Sequence, residues 1–163
     1  MSANEKQVGG KHYKTQYEHW DLCIVIPLGY LEGSSTKYVA RWRKKGGIDD
    51  LHKAMHYLDK LMETYPHNPV RKLIRTEIHY EVSRFSVANG LSIVEEEFIF
   101  LLSSYKSDDD LRTAQLVLED IIDLARLDEK IPRVIEPNRP GTPEDGGHHA
   151  NQSMEELEER KEE

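Results

Sequence analysis

Between Gly46-Gly47 and Pro66, the apolar residues Leu51, Ala54, Met55, Leu58, Leu61 and Met62 recur at helical spacing. A helix turns once every 3.6 residues, so these side chains form one apolar stripe along a single helix. A stripe of that kind is stable only when it is buried against another element. Packed helices are therefore the architecture to expect.

The punctuation around this segment is also helical. Asp49 or Asp50 is placed to cap it, and Pro66 and Pro69 close it. Upstream, residues 20–28 form a short apolar segment, predicted helical and stopped near Pro27-Leu28-Gly29. Ser34-Ser35-Thr36 offers N-cap hydroxyls for a second helix that ends at Gly46-Gly47. Downstream, a helix is predicted over about 70–88 and stopped by Asn89-Gly90. Ser92 with Glu95, and Ser107 with Asp110, have capping-box spacing for two more helices, the last running to about Leu127. The run Phe98-Ile99-Phe100-Leu101-Leu102 is apolar around its whole circumference, suited to a helical core or to an oligomer contact. The expected fold class is all-α. It comprises a small helical domain (1–65), a helical extension that is the candidate oligomerisation region (66–131) and a disordered acidic tail (132–163) rich in Pro, Gly, Glu and Asn.

Charge narrows the function classes. The chain of 163 residues carries a net charge of −8, with 32% charged residues. Residues 1–70 hold ten Lys/Arg against eight Asp/Glu, whereas residues 71–163 hold twelve against twenty-two. So acidic a chain is a poor match for a nucleic-acid polymer, which requires many phosphate neutralisations. A small anionic ligand needs only two or three well-placed cations. No apolar run approaches the roughly 18 residues of a membrane span, and no secretory h-region is visible. Cys23 is the single cysteine, which excludes an intramolecular disulfide and fits a cytoplasmic protein. Its apolar neighbours Leu22, Ile24 and Val25 favour an inert thiol over a nucleophile.

The cations concentrate in one place. Helical spacing puts Lys37, Arg41 and Lys44 or Lys45 on one face, with Tyr38 and Trp42 together on the adjoining one. Arg41 suits a bidentate phosphate contact, and an aromatic ring suits a base. The alternative is a solvated cationic face whose lysines answer a helix macrodipole. Gly46-Gly47 is not a phosphate loop, because no Gly-Lys-Ser/Thr comes after it; it reads as a helix-to-helix turn. His52 and His56 have i, i+4 spacing but no third ligand nearby, so no metal site is expected. Asp49, Asp50 and Asp59 could position Mg²⁺ carried by a nucleotide, or serve as caps and ion-pair partners. His12-Tyr13, flanked by Lys11 and Lys14, could cover a ligand or form a flexible arm.

These residues also resemble a family. Residues 8–65 are similar to a small helical domain of unknown function found in bacteriophage proteins and often called phage nucleotide kinase. The likeness rests on His12, Tyr13, Glu18, Gly33, Lys37, Tyr38, Arg41 and Lys44, then Asp50, Leu51, Lys53, Ala54, Tyr57 and Leu58. Ser34 stands where the family usually has Asn, and Thr36 where an apolar residue is common. The resemblance implies binding of deoxynucleoside monophosphates, phosphoryl transfer from a triphosphate, homo-oligomers, and a location in the infected bacterial cell. It implies a ligand site of His12, Tyr13, Lys37, Tyr38, Arg41, Lys44, Lys53 and Tyr57. Two non-catalytic alternatives stand beside the kinase. One is a sponge that sequesters a host nucleotide signal, such as a cyclic dinucleotide, in counter-defence. The other is a protein-interaction module whose acidic tail contacts a host protein.

Overall fold

The computed structural model describes residues 15–65 and 74–130. In order these form α1 (His19–Val25), α2 (Tyr30–Arg41), a 3-10 turn (Trp42–Lys44), α3 (Ile48–Thr64), α4 (Arg75–Asn89), α5 (Ile93–Ser104) and α6 (Asp108–Lys130). No strand occurs among the described residues, so the all-α expectation holds. None of these helices is long and apolar enough to cross a membrane. The tail from 132, His12-Tyr13 and His148-His149 lie outside the described residues.

One core runs through both sequence halves. α2 packs on α3, α3 on α6, and α5 against α2, α4 and α6. Leu51, Ala54, Leu58 and Leu61 of the α3 stripe are fully buried, together with Phe85 of α4 and Leu111 and Leu118 of α6. Phe98, Ile99 and Leu102 are also fully buried, while Phe100 and Leu101 pack partly exposed against the same cluster. The apolar circumference of α5 thus serves a helix with neighbours on several sides.

Several caps obey local sequence. The Ser92 hydroxyl accepts from Glu95 N, and the Glu95 carboxylate accepts from Ser92 N. Ser107 and Asp110 exchange the same pair of bonds at the start of α6. Gly90 ends α4 with φ +68°, and Leu91 N–H reaches back to the Ser86 carbonyl, the geometry of a left-handed glycine stop.

The start of α2 corrects a sequence expectation. Gly29, not Ser34-Ser35-Thr36, is its N-cap, and those three residues are buried inside the helix. Two of their hydroxyls find other acceptors: Ser35 donates to the Ala54 carbonyl of α3 at 2.8 Å, and Thr36 to the Glu32 carbonyl one turn back at 2.8 Å. Small side chains facing Ala54 leave room for that interhelical bond, so these residues act at a packing interface rather than at a terminus. Asp49 and Asp50 likewise lie within the first turn of α3, behind an N-cap at Gly47.

Candidate functional site

The α2–α3 hairpin is closed by its glycines for two separate reasons. Gly47 has φ +55° and ψ −148°, a backbone state that L side chains rarely adopt. A Cβ on Gly46 would lie 2.2 Å from the Asp50 carboxyl carbon. The turn therefore delivers Asp50, whose side chain is 1% exposed, to the end of α2.

There Asp50 gathers two of the predicted cations. Arg41 Nε donates to its Oδ2 at 2.9 Å, and Lys53 Nζ to its Oδ1 at 2.9 Å. Burial pushes the Asp50 carboxyl up, but the hydrogen bonds from Lys53 and Arg41 outweigh it and hold the pKa below its ordinary value. The group is a buried anion under two donors, a fixed internal counter-charge rather than a metal ligand. Among the described residues no cluster of three metal-ligating side chains occurs, and His52 and His56 are exposed.

The Tyr38 ring is the centre of the aromatic part. It stacks on Tyr57 at 5.7 Å and an interplanar angle of 20°. Lys37 Nζ, Arg41 Cζ and Lys53 Nζ lie 5.0, 4.6 and 5.6 Å from its centroid. Tyr30, 76% exposed, meets the Tyr57 ring edge-on at 5.9 Å. The Tyr30 and Tyr57 hydroxyls lie 3.5 Å apart, and this contact raises the Tyr57 pKa. Lys37 has no carboxylate partner among the described residues, so its charge is directed at the rings and the space beside them. The expected set Lys37, Tyr38, Arg41, Lys53 and Tyr57 thus comes together on one face of the hairpin.

Lys44 and Trp42 do not join it. α2 ends at Arg41, and the tighter winding of the 3-10 turn rotates both side chains away from the direction a continuous helix would give. Lys44 Nζ instead donates to the carbonyl of Asn89, the last residue of α4, at 2.8 Å. Trp42 Nε1 and Arg43 both donate to Glu95, a fully buried carboxylate that also takes the Ser92 hydroxyl at 2.8 Å. Arg43 stacks on the Trp42 ring at 4.3 Å. These residues bind the hairpin to α5 and α4.

Beside Lys37 lies a half-buried polar cluster between α1 and α2. His19 Nε2 is 2.9 Å from the Thr36 hydroxyl, and Cys23 Sγ is 3.5 Å from His19 Nδ1. Because the Thr36 hydroxyl hydrogen goes to the Glu32 carbonyl, its oxygen accepts from His19 Nε2–H, leaving Nδ1 to accept from the thiol. Burial, with Lys37 nearby, pushes the His19 pKa down to about 4, and burial pushes the Cys23 thiol up to about 11. The pair is neutral imidazole and neutral thiol, which fits the inert cysteine expected from its apolar neighbours.

Asp50, legible in the sequence as a cap, an ion-pair partner, a carrier of a nucleotide's Mg²⁺ and a residue of the family likeness, is absent from the expected ligand set, as is Tyr30. Asp50 has one local signal, the i, i+3 spacing to Lys53; its pairing with Arg41 crosses the Gly46-Gly47 turn.

Residues 9–59 match the family described as protein of unknown function (DUF3310). No curated protein and no solved structure matches the chain. The family match corrects the kinase resemblance: no nucleotide kinase family is indicated, and the matched family carries no assigned activity. Phosphoryl transfer rests only on that resemblance, and no activity of the matched family supports it.

Proposed function

We propose that this chain binds a nucleotide or a nucleotide-derived phosphorylated ligand on the α2–α3 face. The observation that carries the proposal is the Tyr38 ring, stacked on Tyr57 and surrounded by Lys37, Arg41 and Lys53 within 5.6 Å. An exposed aromatic edge at Tyr30 and Tyr57 suits a base. The lysines beside it suit a phosphate, whose oxygens take charge-assisted hydrogen bonds. Asp50 holds Arg41 and Lys53 in place before a ligand arrives, which lowers the ordering cost of binding. With three cations and one buried carboxylate, the face keeps a surplus of positive charge in an otherwise acidic protein.

Thermal shift and calorimetry with a panel of mono-, di-, tri- and cyclic nucleotides, with inorganic phosphate as control, test the proposal. A binding nucleotide at a hundredfold its Kd adds about 2.7 kcal/mol to stability. Lys37→Ala removes a cation that bonds no carboxylate among the described residues, so it is expected to weaken binding while leaving the melting curve of the free protein unchanged. If no nucleotide raises the melting temperature, or if Lys37→Ala binds as well as the parent chain, the proposal fails. Arg41→Ala is unsuitable for this purpose, because it also strips a partner from buried Asp50.

A further inference from the structure

α6 carries an apolar surface that the other described helices leave uncovered. Its buried residues Leu111, Ala114, Leu118, Ile121, Ile122 and Ala125 fall within about 60° of one direction on a wheel of 100° per residue. Leu116, Leu124 and Leu127 lie about 110° or more from that direction, on the outer side of the helix. They are 62%, 53% and 55% exposed. Exposed leucines scattered singly are ordinary on a protein surface. Here three recur over three turns of one helix, about 16 Å from first to last.

The uncompensated charge around this stripe is mainly acidic, with Lys130, at the C-terminal end of α6, the one cation of the helix outside an ion pair among the described residues. Asp120 lies within it, and Glu119 and Asp128 border it; none of the three has a cationic partner among the described residues. Arg112 and Arg126 are engaged by Asp108 and Asp123 on α6 itself. A second α6 laid against this face would set acid against acid, which disfavours a homotypic pair. A helix with apolar residues at i, i+3, i+4 and i+7, bordered by Lys or Arg, would cover the leucines and neutralise the carboxylates together. We propose that the outer face of α6 is a docking surface for a basic amphipathic helix of a partner protein, separate from the ligand face on α2 and α3.

The probe is a 21-residue helical peptide with Leu at the a and d positions and Lys elsewhere, compared with a Glu counterpart, using fluorescence anisotropy on the full chain. The Lys peptide is expected to bind and the Glu peptide not. The triple variant Leu116→Ser, Leu124→Ser, Leu127→Ser is expected to weaken binding at least about tenfold, equivalent to about 1.4 kcal/mol. Ile93→Ser, at an 85% exposed position on α5, serves as the control and is expected to change nothing. Glu119→Lys with Asp120→Lys is a second route that leaves the leucines intact, and it is expected to weaken the Lys peptide as well. Equal binding of the triple variant and the parent chain would mean that net charge alone holds the peptide, and would overturn the proposal. So would failure of the Lys peptide to bind, or self-association of the chain that the triple variant abolishes.

Discussion

Replacing Arg41 by alanine puts the central claim about the hairpin to a quantitative test. In the native protein the Asp50 carboxylate is 1% exposed and bonded by Arg41, itself 19% exposed, and by Lys53. Removing one partner of a fully buried ion pair costs about 3–5 kcal/mol, because an uncompensated charge stays behind. Here Lys53 remains and Arg41 is partly hydrated, so the expected loss for Arg41→Ala is about 2–3 kcal/mol. At roughly 4 °C per kcal/mol for a domain of this size, the melting temperature falls by roughly 8–12 °C. Adding Asp50→Asn removes the stranded charge, so the double variant should be more stable than the sum of the single effects predicts, by about 1–2 kcal/mol. Urea denaturation of the four proteins at pH 7 gives the cycle. The pH dependence supplies an independent arm. The folded-state pKa of Asp50 lies below its unfolded value, so its contribution is present above the unfolded pKa and is lost as pH falls through the folded one. In Arg41→Ala that depression is smaller, and the penalty of the substitution should shrink between pH 7 and pH 3. Additivity within about 0.5 kcal/mol, together with a pH-independent penalty, would refute the role given to Asp50.

Further outcomes are expected at the glycine turn, at His19 and Cys23, and at Glu95. Gly46→Ala should cost about 2–3 kcal/mol by forcing Asp50 from its donors, and Gly47→Ala about 1–2 kcal/mol through its positive φ, both read from thermal unfolding. Burial holds the folded-state pKa of His19 at about 4, below its unfolded value, so its share of stability is complete above about pH 6.5 and declines toward pH 4. NMR should accordingly show no His19 titration between pH 6 and 8, and Cys23 should react with a thiol reagent slowly in the folded chain and quickly in urea. Glu95→Ala should destabilise by about 3–4 kcal/mol, since it strands Trp42, Arg43 and the start of α5 together; a loss below about 1 kcal/mol in urea denaturation would refute that.

The sequence by itself determined the elements whose physics is local. The α3 stripe, the Ser92–Glu95 and Ser107–Asp110 boxes and the Gly90 stop each depend on residues within a few positions of one another, and helical periodicity then identifies an all-α chain. The same periodicity fails where it is extended too far. Aligning Lys44 and Trp42 with Lys37 and Tyr38 assumes one continuous helix, whereas α2 stops at Arg41 and the 3-10 turn sends both toward α4 and α5. Ser34-Ser35-Thr36 resembles a cap because its hydroxyls suit one, yet a carbonyl of α3 and another one turn back in α2 claim two of them. Only tertiary structure decided that Asp50 would meet Arg41, that Tyr38 would stack on Tyr57, and that Glu95 would anchor the hairpin. Those contacts join residues 9, 19 and 53 positions apart, where strength depends on burial and donor geometry that no local pattern encodes.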